Sequence, residues 1–360
     1  MNPSPTPTVF GMTIRFRRKL TIVAVVTMVF LAMWWVVAGL LGIPFERSVW
    51  GAAVLGFGYG LYEEFYVQTP RSTWLRRFGA LFEIGLNIVV LTLILLVVMN
   101  INHLITGRFA QIDVAYRKLP VVLPVLVMFS AAMVTLLRVI SFIGGRNLLR
   151  LMVGKYRRPV LEHQVLLFLD MRDSTQLAER LGPLATRELI GQVFYDLSEP
   201  IVNYGGDIYR FTGDGMVATF KITSKDIHDA ARFDYLVDLV DAMEFVLERT
   251  AHDYLSRYDH APKFRYAYHG GDIVVAEEGD SRRAIGYYGE TIHIAARLES
   301  EAKTRDCLLL ISDFIRAGID RHADRFISLG ACALKGISRE VELYALVPGK
   351  NQATLQRQSA

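Results

Sequence analysis

Apolar residues are concentrated in the first 143 residues of this 360-residue chain, and that distribution restricts the folds open to it. Four stretches there contain no Asp, Glu, Lys or Arg, namely residues 21–43, 48–62, 84–107 and 119–137. A helix needs about 20 apolar residues to cross the hydrocarbon of a bilayer, and three of the stretches reach that length. The sequence therefore predicts a four-span α-helical transmembrane domain over residues 20–143, preceded by an arm of residues 1–19.

The second stretch is the shortest, and by length alone it also suits a buried core helix. Gly56 and Gly60 within it have the GxxxG spacing that lets two membrane helices approach closely. We therefore predict a fourth crossing packed through these two glycines. Residues 21–43 exceed the apolar part of a cleavable signal peptide, so we expect them to be retained.

Basic residues predict the orientation of these spans. They are concentrated in the arm, in the second loop and after the last span: Arg15, Arg17, Arg18, Lys19, Arg71, Arg76, Arg77, Arg146, Arg150, Lys155, Arg157 and Arg158. The positive-inside rule then places both termini in the cytoplasm, with the chain in the cell membrane.

Composition argues against several functions. The net charge of +4 needs no nucleic-acid partner, because the basic excess lies where anionic lipid headgroups attract it. A transporter is disfavoured because Glu63 and Glu64 lie at a span edge, where we interpret them as interfacial, and no charges pair within the spans. Cys307 and Cys332 lack metal-ligand spacing, and we interpret them as reduced core thiols.

The second half of the chain has an α/β pattern. A basic amphipathic connector over residues 144–160 leads to an α/β domain over residues 161–348, and a polar tail follows over residues 349–360. We expect a strand at 165–169, then a helix with Ser174 as N-cap that is interrupted at Gly182-Pro183. Later elements are predicted as a hairpin with its tip at 212–215, a long helix at 226–258, strands at 264–268 and 273–276, and a helix at 291–303.

Two aspartates end strand-like runs in this half, Asp170 after Val165-Leu-Leu-Phe-Leu and Asp214 at the hairpin tip. A pair of carboxylates at strand ends beside tight turns suits Mg²⁺ or Mn²⁺ held against a nucleotide triphosphate. Taken singly, each has a simpler interpretation, since Asp170 could cap the next helix and Asp214 suits a turn.

Four strings, in order, resemble the catalytic domain of class III adenylate and guanylate cyclases. They are LFLDMRDST, YRFTGDGMVATF, YHGGDIVVAEEGDSRRAIGYYGETIHIAARLES and LKGISREVELYAL. The resemblance implies a ferredoxin-like sheet covered by helices and a homodimer with the nucleotide between its subunits. It also implies conversion of ATP, or of GTP, to a 3′,5′-cyclic nucleotide and pyrophosphate with two Mg²⁺ or Mn²⁺ ions per site.

The resemblance also implies roles for single residues. Asp170, Asp214 and the backbone carbonyl of Met171 match the metal ligands, and Arg297 matches the arginine that stabilises charge developing on the α-phosphate. His293 stands where the family usually has asparagine, and we expect it to keep that role and to make the rate sensitive to pH. The positions that read the purine fall on Arg210 and Gly286, and Lys335 matches a residue that reaches the terminal phosphates.

Departures from the family leave alternatives open. Gly286 has no side chain with which to distinguish adenine from guanine, so ATP is preferred by analogy alone. Asp173 replaces a glycine and Glu290 an aspartate or asparagine, and both replacements argue against high turnover. Because Gly286, Glu290 and His293 all depart from the family, a membrane receptor with a silent cyclase-like domain that binds nucleotide or partners stays an alternative. A diguanylate cyclase is disfavoured, because both Gly-Gly-Asp strings are followed by isoleucine.

Overall fold

The computed structural model describes residues 12–40, 45–67, 80–106, 153–223, 229–280 and 283–347, with a few shorter pieces at 8–9, at 42 and between 117 and 150. Contacts divide the chain into two units. One unit comprises Phe16–Val153, and the other comprises Met1–Arg15 and Gly154–Ala360. The predicted tail and residues 144–149 and 151–152 of the predicted connector lie outside the described residues, and the predicted domain limits stay predictions.

The first unit is helical. Its described helices are α1 (Ile14–Leu40), α2 (Phe45–Tyr62), which continues as a π-helix over Glu63–Val67, and α3 (Ala80–Thr106). A Cβ at Gly56 would lie 2.8 Å from Thr27 Cα, and one at Gly60 would lie 3.1 Å from Val23 Cα. The predicted packing through these two glycines is therefore confirmed, because only glycine lets the backbone of α2 come this close to α1.

Among the described residues, one helix is long and apolar enough to cross a membrane, over Lys19–Gly39. The apolar part of α3, Ile84–Val98, is shorter, and most of the fourth predicted span lies outside the described residues. The four-span topology stays a prediction. Glu63 and Glu64 are only 2% and 9% exposed, so both are buried within the helical unit, and their position at the membrane interface stays a prediction.

The second unit has an α/β architecture, as the sequence predicts. Its elements are β3 (Val160–Met171), α4 (Ser174–Leu181), α5 (Pro183–Asn203), β4 (Asp207–Thr212), β5 (Gly215–Lys221), α6 (Asp234–Tyr258), β6 (Phe264–Glu278), β7 (Ala284–Tyr288), α7 (Glu290–Thr304), β8 (Leu309–Ser312), α8 (Asp313–Arg316), β9 (Phe326–Ala333) and β10 (Glu340–Leu346). A two-stranded pair of β1 (Thr8–Val9) and β2 (Met12–Thr13) precedes α1.

The described strands from β3 to β10 form one mixed sheet in the order β4-β5-β3-β6-β8-β10-β9, with β7 paired to β6. The pairing of β6 with β8 is parallel and the other pairings are antiparallel. The order β4-β5-β3-β6 is that of a β-α-β-β-α-β unit, which is the predicted ferredoxin-like arrangement. Helices α5 and α6 pack on one face of the sheet, and α7 packs on the other.

Three details differ from the sequence-based expectations. Ser174 is the first residue of α4 rather than its N-cap, and Asp173 occupies the N-cap position without a side-chain cap. The two strands predicted between residues 264 and 276 are one strand, β6. Helix α6 begins at Asp234 rather than at 226, while the predicted break at Gly182-Pro183 and the predicted hairpin are confirmed.

A carboxylate near the start of β3 joins the strand to the residues that precede it. Glu162 accepts hydrogen bonds from Lys155 Nζ at 2.5 Å and Tyr156 Oη at 3.0 Å, and Lys221 Nζ lies 3.0 Å from its other oxygen. Burial by itself raises the pKa of Glu162, but the hydrogen bonds from the two lysines outweigh it and lower that pKa to about 2. Glu162 therefore stabilises this end of the unit only in its charged form.

We expect Glu162→Gln to lower the melting temperature of the α/β unit by about 4–8 °C at pH 7, because charge-assisted hydrogen bonds worth about 2 kcal/mol are lost. The pKa of Glu162 is lower in the folded state than its ordinary 4.5, so the contribution is complete above about pH 4.5 and disappears as pH falls toward about 2. Circular dichroism melts from pH 7 down to pH 3 would show the difference in melting temperature between wild type and Glu162→Gln becoming smaller. An equal difference at all pH values, or a similar loss in the exposed control Glu179→Gln, would contradict this role.

Candidate active site

Asp170 and Asp214 lie next to each other at one end of the sheet. Asp170 is opposite Gly215 in the pairing of β3 with β5, and Met171 N donates a hydrogen bond to the Asp214 carbonyl at 3.2 Å. A Cβ at Gly215 would be 2.8 Å from the Leu169 carbonyl oxygen and 3.6 Å from Asp170 Oδ1. Glycine at 215 therefore allows the hairpin tip to approach the end of β3.

The two carboxylates affect each other electrostatically. The pKa of Asp170 is raised, first by its burial and then by the negative charge of Asp214. Asp214 accepts a hydrogen bond from the hydroxyl of Ser174 at the start of α4. Holding both carboxylates charged side by side costs free energy, and a cation between them would relieve that cost.

Sequence reasoning missed the charged residues that surround this pair. Glu299 and Lys303 on α7 and Arg265 on β6 all act on Asp170, which lies directly across from Arg265 in the sheet. The pKa of Glu299 is raised, first by burial and then by Asp170. Arg265 is buried and donates to Asp306 at 3.0 Å. Glu299 and Lys303 are four residues apart, so one side of α7 faces Asp170.

The donor set suits a hard divalent cation. Carboxylate oxygens are the preferred ligands of Mg²⁺, which is usually bound through one or two carboxylates plus the phosphates of a substrate. Within the part of the chain that the structure describes, no three His, Cys, Asp or Glu side chains form a metal-binding group. Asp170 and Asp214 therefore fit a cation that arrives with a nucleotide rather than one held by the protein alone.

Arg297 and His293 lie on a different side of α7, and Lys335 lies in the segment between β9 and β10. Arg297 Nε donates to the Lys335 carbonyl at 3.1 Å, and all three residues are exposed. Arg297 and Glu299 are two residues apart, which places them about 200° apart around the helix. His293 precedes Arg297 by one turn on the same exposed side. Within one chain, this group therefore faces away from the side of α7 that contacts Asp170.

Arg210 and Gly286 lie on two different hairpins. Arg210 is exposed on β4, and its guanidinium lies 5.5 Å from the ring centre of Tyr209, which stacks on Tyr287 at 4.2 Å. Gly286 is buried at the middle of β7, opposite Ala276. The Tyr209–Tyr287 stack thus links the strands that carry these two predicted base-reading positions.

Comparison with known proteins decides the family. Residues 159–347 match the family model of the adenylate and guanylate cyclase catalytic domain, which is more than half of the chain. The chain belongs to this family. The matched residues include every predicted site residue from Asp170 to Lys335.

Individual relatives agree with this assignment. The chain is 35% identical over 221 residues to a protein named Adenylate cyclase 2 from Rhizobium meliloti. The match covers 61% of this chain and 60% of that protein, so the chain spans about three fifths of its relative's length. It is 23% identical over 144 residues to Soluble guanylate cyclase gcy-31 from Caenorhabditis elegans, covering 40% and 20% of the two chains. A bacterial light-regulated adenylyl cyclase has the same fold, with a TM-score of 0.53 at 18% identity over 66% of this chain and 68% of that one.

The structure accounts for two departures of this cyclase from its family. Asp173, which replaces a glycine, has φ 57° and ψ 25°, a left-handed conformation that glycine adopts freely and aspartate tolerates better than most residues. Glu290, at the start of α7, lies where a negative charge is favoured by the helix dipole, and its carboxylate is 3.5 Å from Arg339 Nε. Both replacements are thus compatible with the fold around the site.

Proposed function

We propose that the chain is a membrane-anchored adenylate cyclase that converts ATP to 3′,5′-cyclic AMP and pyrophosphate for intracellular signalling. The observation that carries this proposal is the adjacent pair Asp170 and Asp214 in a domain of the cyclase family. The multi-pass membrane domain, the cytoplasmic position of both termini and the cell-membrane location are part of the proposal, supported by the apolar helix Lys19–Gly39.

Asp170, Asp214 and the carbonyl of Met171 would hold Mg²⁺ or Mn²⁺, two ions per site. When bound, the ions lower the pKa of the ribose 3′-hydroxyl and neutralise the triphosphate. The 3′-hydroxyl loses its proton to water, its oxygen forms a bond to the α-phosphorus, and the bond from that phosphorus to the bridging oxygen breaks to release pyrophosphate. In this chain, Arg297 supplies a fixed positive charge for the α-phosphate, His293 a hydrogen-bond donor, and Lys335 a charge for the terminal phosphates.

A homodimer fits the arrangement of these groups. His293 and Arg297 face away from the side of α7 that lies toward Asp170 in the same chain. One nucleotide would therefore contact the carboxylates of one chain and the His293–Arg297 pair of the other, where two chains come together. Each site would then take its carboxylates from one chain and Arg297 from the other. The homodimer stays a proposal, which the mixing experiment in the Discussion tests.

ATP is the proposed substrate because the relative with 35% identity is named an adenylate cyclase. A guanylate cyclase is the second candidate, since Gly286 has no side chain to select the base and both types of cyclase occur among the relatives. A receptor with a silent cyclase domain is the third, because His293, Glu290 and Gly286 all depart from the family pattern.

One assay separates these candidates. The full chain, purified in detergent from membranes, is incubated with Mn²⁺ and either ATP or GTP, and the products are identified by mass spectrometry. We expect cyclic AMP from ATP and at least tenfold less cyclic GMP from GTP, a difference of about 1.4 kcal/mol in barrier height. Cyclic GMP as the main product would make the chain a guanylate cyclase, and no cyclic product from either nucleotide would favour the silent receptor.

A further inference from the structure

The hairpin of β6 and β7 carries a polar pair over the glycine at position 286. Ala276 pairs with Gly286 and Glu278 with Ala284, so residues 276, 278, 284, 286 and 288 share one face of the hairpin. On that face, Glu278 and Tyr288 are separated only by alanines and a glycine. The Tyr288 hydroxyl donates a hydrogen bond to the Glu278 carboxylate across them.

These two side chains fill the space that a side chain at position 286 would occupy. A Cβ at Gly286 would lie 2.7 Å from Tyr288 Oη and 2.8 Å from both Cδ and Oε2 of Glu278. Gly286, at a predicted base-reading position, has no side chain, and its space is occupied by a hydroxyl and a carboxylate from the same hairpin. Both side chains are exposed in the single chain, so they are accessible to a ligand.

The chemistry of the pair is complementary to one edge of adenine. The carboxylate of Glu278 can only accept hydrogen bonds, and the hydroxyl of Tyr288 can donate one. The hydrogen bond to Glu278 raises the pKa of Tyr288, so the hydroxyl keeps its proton. Adenine presents a 6-amino donor next to the N1 acceptor, whereas guanine presents an O6 acceptor next to the N1–H donor. The pair therefore fits adenine when Glu278 lies at position 6 of the base and Tyr288 at position 1.

We propose that Glu278 and Tyr288 select adenine in this chain, with Glu278 accepting from the 6-amino group while the Tyr288 hydroxyl turns its single proton from Glu278 to N1. The proposal rests on the proposed function, which places the purine at Arg210 and Gly286. It explains how a site with glycine at a base-reading position can still distinguish bases. Glu278 and Tyr288 are ten residues apart, and the pairing of β6 with β7 brings them together.

The test combines side-chain and base substitutions. For the wild-type chain, purine riboside triphosphate, which lacks the 6-amino group, should have a kcat/KM about 10–100-fold below that of ATP, the effect of one hydrogen bond to a charged group. For Glu278→Ala, kcat/KM for ATP should fall by a similar factor, and the two nucleotides should then react equally well. For Tyr288→Phe, kcat/KM for ATP should likewise fall, and ATP and its 1-deaza analogue should then react equally well.

The matched controls are Glu277→Gln, on the opposite face of β6, and Tyr344→Phe on β10, whose hydroxyl also donates to a glutamate, Glu342; both should keep the wild-type preference for ATP. A Glu278→Ala chain that still prefers ATP over purine riboside triphosphate as strongly as wild type would overturn the proposal. A loss confined to GTP turnover in either variant would overturn the assignment to adenine.

Failure of the proposed function would look different. If the wild-type chain forms no cyclic product, the same comparisons are made on dissociation constants, measured by equilibrium dialysis with Mn²⁺ and each nucleotide. A wild-type preference for ATP that Glu278→Ala abolishes would support base reading in a silent cyclase domain. Equal binding of ATP and the analogue by the wild-type chain would contradict it.

Discussion

Replacing Asp170 by Asn is expected to lower cyclic nucleotide formation about a thousandfold while leaving the chain at least as stable as wild type at pH 7. A lost metal ligand removes several kcal/mol of charge stabilisation from the transition state, and about 4 kcal/mol corresponds to a factor of a thousand. Stability should not fall, because the pKa of Asp170 is raised in the folded chain by burial and by Asp214, so its charged form opposes folding. Steady-state rates with Mn²⁺ and ATP, and thermal melts of the same preparations, measure the two effects.

The pH dependence of the melts gives the direction of the effect. A carboxyl group whose pKa is higher in the folded state destabilises the fold while it is charged, and the cost disappears as pH falls below its ordinary pKa. The advantage of Asp170→Asn should therefore be present at pH 7 and should vanish below about pH 4. A variant that melts well below wild type at pH 7 would show that Asp170 is needed for folding instead.

Metal binding provides a readout that does not depend on turnover. A ligand that binds only the folded state raises the melting temperature, so Mn²⁺ with ATP should stabilise the wild-type chain and should have little effect on Asp170→Asn. Asp253→Asn, an exposed change on α6, is the matched control and should respond as wild type does. Equal stabilisation of all three chains by the metal would show that Asp170 does not bind it.

The sequence predicted most of the α/β fold because its local signals are consistent. The continuous apolar run Val165-Leu-Leu-Phe-Leu identifies β3, and Gly182-Pro183 marks the break between two helices. The division of β6 into two predicted strands failed for a physical reason. Gly270 looks like a turn residue, but a Cβ there would lie 2.5 Å from the ring of Phe314, so the glycine allows this side chain to pack on a continuous strand.

The site was predictable to the extent that its residues lie in contiguous strings. Asp170, Asp214 and Arg297 are proposed as site residues from such strings, whereas Glu299 and Lys303 were missed because nothing in the sequence tells which side of α7 faces Asp170. Ser174 was assigned as a helix cap from local rules. The fold instead directs its hydroxyl to Asp214, forty residues away in the chain, and that contact depends on tertiary structure.

The second large effect is expected from mixing two inactive variants. Asp214→Ala removes a carboxylate and Arg297→Ala removes the positive charge, so each homodimer should be nearly inactive. If the two groups of one site come from different chains, a mixed dimer has one intact site and one doubly defective site. Random pairing puts half of the dimers in this form, so about a quarter of the wild-type activity should return.

Coexpression of two differently tagged chains, followed by purification through both tags, isolates the mixed dimer and should raise the recovery to about half of the wild-type activity per dimer. The control pairs Asp170→Ala with Asp214→Ala. Because β3 and the β4–β5 hairpin hold both aspartates together in one chain, every site of that mixed dimer lacks a carboxylate, and no activity should return. Recovery in the control would mean that the aspartates of one site come from different chains. No recovery in either mixture would mean that Arg297 acts in the same chain as Asp214, against the geometry of α7.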